Sequence, residues 1–324
     1  MTLGCPYGTH RVLEPKGALP QGAQRLDNTM EIYDNEILVD VETLNIDSAS
    51  FTQIRQQAGD DERRMAETMC QIVESRGKHH NPVTGSGGMF IGTVRAIGPA
   101  LQSRDLQVGD RIASLVSLTL TPLVIKEIKK VHKDTAQVDI EGQAILFESG
   151  IYAVLPEDLP EKVALAALDV AGAPAQTAKL VKPGDAVLVI GAGGKSGSMC
   201  LHEAKKRAGV SGLVVAMDYG EAAVTRIKHL GLADLVLDVD ATKPLDCLNA
   251  LLQAGGRLAD LTINCVNIPH TEMASILCTR AGGTVYFFSM ATSFTAAALG
   301  AEGVGKDVTM LIGNGYTENH AQIA

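Results

Sequence analysis

Residues 186–208 read AVLVIGAGGKSGSMCLHEAKKRA, and the order of residue types within them decides the fold. The β-branched run Val187 to Ile190 has the character of a buried strand. It enters a turn carrying Gly191, Gly193, Gly194 and Gly197, and the turn feeds an amphipathic helix. A strand, a tight turn and a helix N-terminus offer a pyrophosphate free N–H groups, a favourable dipole and no Cβ in the way. Ser196 and Gly197 fall at the helix start and are the expected donors. A second apolar run, LVVAM, ends in Asp218 about 20 residues further on, where a carboxylate can hold an adenosine ribose. The pattern implies a bound nicotinamide dinucleotide.

Two other readings of the turn can be weighed directly. Its Gly-Lys-Ser invites a P-loop, which needs a glycine five positions before the Gly-Lys to close the phosphate cradle. That position is Val189, so the P-loop reading fails. Alternatively the glycines only shape a βα turn, with Asp218 as a strand cap. A carboxylate at 218 repels a 2′-phosphate and so favours NAD over NADP, although Arg226 lies close enough to keep both in view.

The rest of the chain arranges itself around this motif. From Pro183 onward, AVLVI, LVVAM, DLVLD, LTINCV, GTVYFF and DVTMLI alternate with helical stretches such as EAAVTRIKHL and HTEMASILCTR. Six short apolar strands with intervening helices give an α/β, doubly wound parallel sheet. Before about residue 155 the chain is strand-rich: ILVDVETLNID, GMFIGTVRAIGPAL and VGDRIASLVSL alternate apolar and polar residues. Between the first two lies a charged helical stretch, 52–76, and a polar loop, SRGKHHNPVTGSGG. An apolar helical bridge, 156–183, joins the halves.

With 324 residues the chain can hold two domains, each with its own core. A net charge of −9 argues against nucleic acid or an anionic membrane as a partner. No run reaches the roughly 18 apolar residues of a membrane span, and MTLGCPYGTHR lacks the regions of a secretory signal. Six cysteines without CxxC spacing suggest free thiols in a reducing cytoplasm. The closing TENHAQIA reads as a helix cut short, with a return helix expected beyond it.

LNIDSASF, GMFIGTVRAIG, VGDRIA, LPEDLPEKVALAALDVAG and VKPGDAVLVIGAGG together resemble the medium-chain dehydrogenase/reductase superfamily, over residues 36–315. The resemblance implies a GroES-like β-rich catalytic domain (1–155), a Rossmann domain (156–324), a cofactor cleft between them and a homodimer. The departures are informative. Zinc-dependent members carry Gly-His-Glu where this chain has Gly87, Gly88 and Met89, and their early cysteine ligand falls in LNIDSAS. Residues 71–199 contain no cysteine. A tetrahedral zinc needs three or four N or S ligands, so no metal is expected.

Within that superfamily, LNIDSASFTQI, HNPVTGSGGMFIGTVRAIG, GAGGKSGSMCLHEAKKRAG and MLIGNGYTENH resemble the 3,5-diaminohexanoate dehydrogenase family of anaerobic lysine fermentation. That implies a small amino-acid substrate, oxidatively deaminated at C3 to 5-amino-3-oxohexanoate and ammonia with NAD. Such chemistry needs a base for the 3-ammonium, a cation for the substrate carboxylate and an acid for the 5-ammonium. The loop Arg76-Gly77-Lys78-His79-His80 offers His79 or His80 as base and Arg76 or Lys78 as clamp; its plain alternative is a solvated loop. Asp47 can hold an ammonium or simply form a turn, and Asp169 on the bridge helix can face the nicotinamide. Asn267, after the fourth strand, is expected beside the ribose and Ser289, after the fifth, beside the carboxamide; Gly313-Asn314-Gly315 is a further cleft loop. Ordinary βα loops are the alternative for these. Rival functions are a zinc-free quinone or enoyl reductase and a non-catalytic NAD-binding sensor.

Overall fold

Glu36–Ile46 is buried through its first four residues, alternates in burial beyond them, and lies in the middle of an antiparallel sheet. The computed structural model describes residues 2–156, 158–313 and 315–324. It divides into two units, Met1–Glu161 and Lys162–Ala324.

The first unit opens with a small ladder of β1 (Val12–Glu14) and β2 (Arg25–Leu26). Its main sheet comprises β3 (Glu36–Ile46), β4 (Gly88–Ile97), β5 (Arg111–Ser114), β6 (Leu123–His132), β7 (Gln137–Phe147) and β8 (Tyr152–Val154). They run antiparallel in the order β6-β7-β3-β4-β5-β8. Helices α1 (Ser48–Gln57) and α2 (Glu62–Arg76) add Phe51, Ile54, Met65 and Met69 to a core with Ile37, Val39, Leu44 and Phe90.

Two local features differ from the sequence expectation. The helical stretch 52–76 is two helices, because Gly59 and Asp60 both sit at φ 64°, a left-handed conformation that ends α1. The Asp61 side chain then accepts from Arg64 N and caps α2. The sequence pattern also singled out no strand in the β6–β7 hairpin. Exposed Lys126, Glu127, Lys129 and Lys130 break its apolar rhythm; on an edge strand such charges discourage pairing with other chains.

The second unit starts with α3 (Glu161–Leu168) and α4 (Gly172–Leu180), both within the expected bridge. Then follow β9 (Ala186–Ile190), α5 (Lys195–Ala208), β10 (Leu213–Asp218), α6 (Glu221–Leu230), β11 (Leu235–Asp238) and α7 (Pro244–Gln253). The second half is β12 (Ala259–Asn264), α8 (Glu272–Cys278), β13 (Thr279–Phe287), α9 (Phe294–Gly303), β14 (Val308–Ile312) and α10 (His320–Ile323). All six strands expected from the sequence are present, parallel, in the order β11-β10-β9-β12-β13-β14. Val187 and Val189 bury against Cys200, Leu201 and Ala204 of α5, while Leu188 and Ile190 bury with Cys247, Leu251 and Ala274. Burial on both faces explains why these strands are apolar throughout rather than alternating. The strand order reverses between β9 and β12, and a ligand crevice of such a sheet opens at their C-terminal ends.

One buried ion pair anchors the N-terminal segment to β3. Arg11 is 1% exposed; its Nε and Nη2 each donate to a different oxygen of Glu36 at 2.7 Å, and Tyr33 N adds a third donor. Burial alone would raise the Glu36 pKa, but the Arg11 hydrogen bonds, the Tyr33 N–H and the guanidinium charge outweigh it and hold the carboxyl below its usual range. Arg11→Ala should therefore destabilise the protein by about 3–5 kcal/mol in urea titration, because it strands a buried carboxylate. A depressed pKa contributes stability above the unfolded value, lost as pH falls through the folded one. The wild type should accordingly lose stability below the ordinary glutamate value of 4.5 by a component that Glu36→Gln lacks.

Candidate functional site

The glycine turn after β9 is shaped by what each missing side chain would hit. Gly191 has φ 79°, and a Cβ there would lie 3.0 Å from the backbone of Cys265 and Val266. At Gly193 it would lie 3.0 Å from Ala223 O. At Gly197 it would overlap the carbonyl oxygen of Gly191. These glycines thus let the start of α5 and the loop after β12 close onto the turn. The first intrahelical bond runs from Ser198 N to Gly194 O, so the N–H groups of Lys195, Ser196 and Gly197 precede the ladder. This is an anion cradle, and the residues present fit a dinucleotide pyrophosphate.

Asp218 ends β10 beside this turn. Its Oδ2 accepts from Gly193 N and its Oδ1 from Tyr219 N, both at 2.8 Å. Each oxygen keeps a second lone pair for a ribose hydroxyl. Arg226 is also drawn in, its Nε donating to Gly193 O at 3.2 Å.

The loops after β12 and β13 complete this edge. Ser289 Oγ accepts from Ala291 N, and Ser289 N donates to Asn264 O. Asn267 is exposed beyond β12, and Asn314 lies outside the described residues. Asn264, which the sequence reading passed over inside LTINCV, is fully buried and bonded on all sides. Its signal was a lone amide in an otherwise apolar strand. Asp169 departs from expectation: it lies in the turn between α3 and α4, not on a helix, and is a solvent-accessible partner of Lys195.

In the first unit, Asp47 and the polar loop meet at Gly87. Gly87 N donates to Asp47 Oδ2 at 2.9 Å, and Asp47 N donates back to Gly87 O. A Cβ at Gly87 would lie 2.8 Å from His79 O, so the histidine loop lies against the same residue. His79 is fully buried with neither ring nitrogen hydrogen-bonded, and burial pushes its pKa down to about 4. His80 is half-buried; burial first, then Lys78 and Arg76, lowers its pKa. Lys78 departs from the clamp expected of it. Its side chain is fully buried and its Nζ donates to Pro20 O at 2.7 Å, burial pushing its pKa down to about 8. Arg76 stays half-exposed beside it. Among the described residues no group of three His, Cys, Asp or Glu side chains could hold a metal ion, and no helix is long and apolar enough to cross a membrane.

Residues 10–156 match the family described as L-erythro-3,5-diaminohexanoate dehydrogenase N-terminal domain. Over 322 residues the chain is 61% identical to the L-erythro-3,5-diaminohexanoate dehydrogenase of Acetoanaerobium sticklandii, spanning 99% of this chain and 94% of that one. The chain belongs to this family. The Fusobacterium nucleatum member is 56% identical, over 100% of this chain and 94% of its own length. Solved structures extend the likeness in fold. A mycobacterial protein complexed with NADPH superposes with a TM-score of 0.56 at 18% identity, covering 89% of this chain and 76% of that one. Galactitol-1-phosphate dehydrogenase from Escherichia coli gives 0.56 at 16% identity, covering 91% and 81%. The family thus has the fold expected from the sequence, a GroES-like β-rich unit and a six-stranded Rossmann unit.

Gly197→Ala should force α5 off the turn, an overpacking cost of about 1–3 kcal/mol, which corresponds to about five- to 150-fold in affinity. Titration of NADH by its own fluorescence should show that weakening together with a lower melting temperature. Gly303→Ala, where a Cβ meets nothing within 4 Å, should leave both unchanged.

Proposed function

We propose that this protein is an NAD-dependent, zinc-free dehydrogenase that oxidatively deaminates L-erythro-3,5-diaminohexanoate at C3, giving 5-amino-3-oxohexanoate and ammonia. The observation that carries the substrate is the 61% identity, over nearly the whole chain, to a dehydrogenase of that name. The glycine cradle supports the dinucleotide, and Asp218 supports NAD as the form used. The donor set of the described residues favours a reaction run by side chains.

NAD, when bound, is the hydride acceptor. Lys195, Ser196 and Gly197 N–H groups would hold its pyrophosphate, Asp218 and Asn267 its riboses, and Ser289 its carboxamide. His80 takes the proton from the 3-ammonium, so that the amine lone pair can expel the C3 hydride as the C=N bond forms. Water adds to the resulting iminium, the nitrogen leaves as ammonia and the ketone remains. His79, fully buried and with its pKa pushed down to about 4, stays neutral and is not the base. Arg76 pairs with the substrate carboxylate in place of Lys78, and Asp47 holds the 5-ammonium. We read the protein as a cytoplasmic homodimer: its cysteines are all free, and β14 leaves one edge of the parallel sheet available to a second copy.

Purified protein with NAD and the diamine should produce NADH; consumption of NADPH with a quinone, and no NADH from the diamine, would make it a quinone reductase instead. NAD binding without either activity would point to a sensor. Asp218→Ala should shift the NAD/NADP preference toward NADP by about tenfold or more, through the lost repulsion of the 2′-phosphate. The Arg226→Ala variant tests whether the guanidinium on Gly193 O opposes that preference. Because His80 must be unprotonated to act, kcat/KM should fall on an acid limb below the usual histidine value of 6.5. His80→Gln should abolish the limb and lower kcat by about 10²–10⁴.

A further inference from the structure

We infer that Asn264 is the positioning residue of the dinucleotide site: one buried amide that joins the three loops along the C-terminal edge of the parallel sheet. The inference rests on the dinucleotide reading above and concerns only the second unit.

Asn264 is the last residue of β12, at the point where the strand order reverses. In register it lies opposite Ile190 of β9 on one side and Phe287 of β13 on the other. Both neighbours are the last residues before a ligand-facing loop. The side chain is 0% exposed. Its Nδ2 donates to Thr271 Oγ1 and Ser275 Oγ, each at 2.9 Å, and its Oδ1 accepts from Val266 N at 3.0 Å. The amide therefore closes residues 265–271 into a loop pinned at both ends. Its main-chain oxygen accepts from Phe288 N and Ser289 N, at 3.0 and 3.2 Å, which fixes the start of the next loop.

The third loop is reached through the neighbouring residue. Cys265 N donates to Ile190 O at 2.9 Å, and Gly191 packs so closely on Cys265 and Val266 that a Cβ would lie 3.0 Å away. The position of Val266 is set by Asn264 Oδ1, so the wall against which the glycine turn closes is set by the same amide. Glu272 strengthens the arrangement: buried at the start of α8, its Oε1 accepts from Ser293 N at 2.7 Å and ties the first loop to the second.

The chemistry explains why an asparagine is needed. Aspartate lacks the two N–H donors, and an apolar residue of equal size satisfies neither Val266 N–H nor the two hydroxyls. A buried amide bonded in all directions specifies one geometry, because any shift leaves a polar group unsatisfied in a dry core. Asn264 touches no substrate or cofactor in this account; it acts through Val266, Thr271 and Ser289.

The test uses the full chain, with NADH binding read by the ligand's own fluorescence, since the protein has no tryptophan to interfere. Asn264→Leu should raise the NADH dissociation constant and the KM for NAD by about ten- to a hundredfold, while the KM for the diamine changes by less than about twofold. Ser275→Ala, which removes one partner and retains the amide, covers the case in which the leucine variant does not fold. It should raise the NADH constant by a smaller factor, about two- to fivefold. Ile263→Ala, adjacent on β12 but purely apolar, controls for lost stability. Asn264→Leu and Ile263→Ala with similar melting losses and similar NADH constants would overturn the inference, as would an unchanged NADH constant in Ser275→Ala. Wild type that binds NADH but leaves the diamine untouched would refute the substrate reading and leave this test intact. Wild type that binds no dinucleotide would refute both.

Discussion

Gly197 has no room for a side chain, and the Rossmann unit is organised around that fact. A Cβ there would overlap the carbonyl oxygen of Gly191, so the first turn of α5 lies directly on the turn that ends β9. Seated there, α5 presents Cys200, Leu201, Ala204 and Ala208, spaced at helical intervals, to the sheet face formed by Val187, Val189, Val214 and Ala216. The same contact leaves the first N–H groups of α5 pointing at the crevice. A close approach of two backbones thus sets the packing angle of a core helix and builds the anion cradle. Folding and binding draw on one contact here, and a methyl group at 197 disturbs both.

Asp218 shows a similar economy. Its sequence position raises the expectation of a ribose ligand; the structure makes it a brace for the turn, through Gly193 N and Tyr219 N. Two fixed N–H donors orient the carboxylate before any ligand arrives, which reduces the ordering cost of binding. The neighbouring guanidinium of Arg226 bonds to Gly193 O and leaves the carboxylate oxygens to those donors. A carboxylate and a cation thus share one turn, Asp218 accepting from the N–H of Gly193 and Arg226 donating to its carbonyl.

The parts legible in the sequence were those with local causes. Strands buried on both faces are continuous apolar runs, glycines mark backbone that must approach or turn, and all six strands of the parallel sheet follow from these two rules. The β6–β7 hairpin was hidden because charged side chains on its outer face mask the alternation. The break between α1 and α2 rests on an aspartate in a left-handed conformation, which no periodicity reveals. Lys78 and Asn264 were illegible for a different reason. Lys78 looks like a surface cation until the fold brings Pro20 O to its ammonium. Asn264 looks like an interruption of a strand until Thr271 and Ser275 return from α8 to meet it. Both depend on partners supplied by tertiary structure, which residue type alone does not announce.

The first unit has the complementary problem: lowering the proton affinity of basic groups with no metal-ligand set among the described residues. Desolvation serves instead. Burial lowers the pKa of Lys78 to about 8 and of His79 to about 4, and His80 is lowered by burial and by the charges of Lys78 and Arg76. Two cationic side chains precede two imidazoles on five consecutive residues, so each proton that binds makes the next less favourable. Neutral imidazoles beside fixed positive charge suit a reaction that must accept a proton from an ammonium while retaining an anionic carboxylate. The two rings differ in their access to solvent. A ring with no solvent access has no route for a proton to leave, whereas His80 retains access to solvent at its outer face.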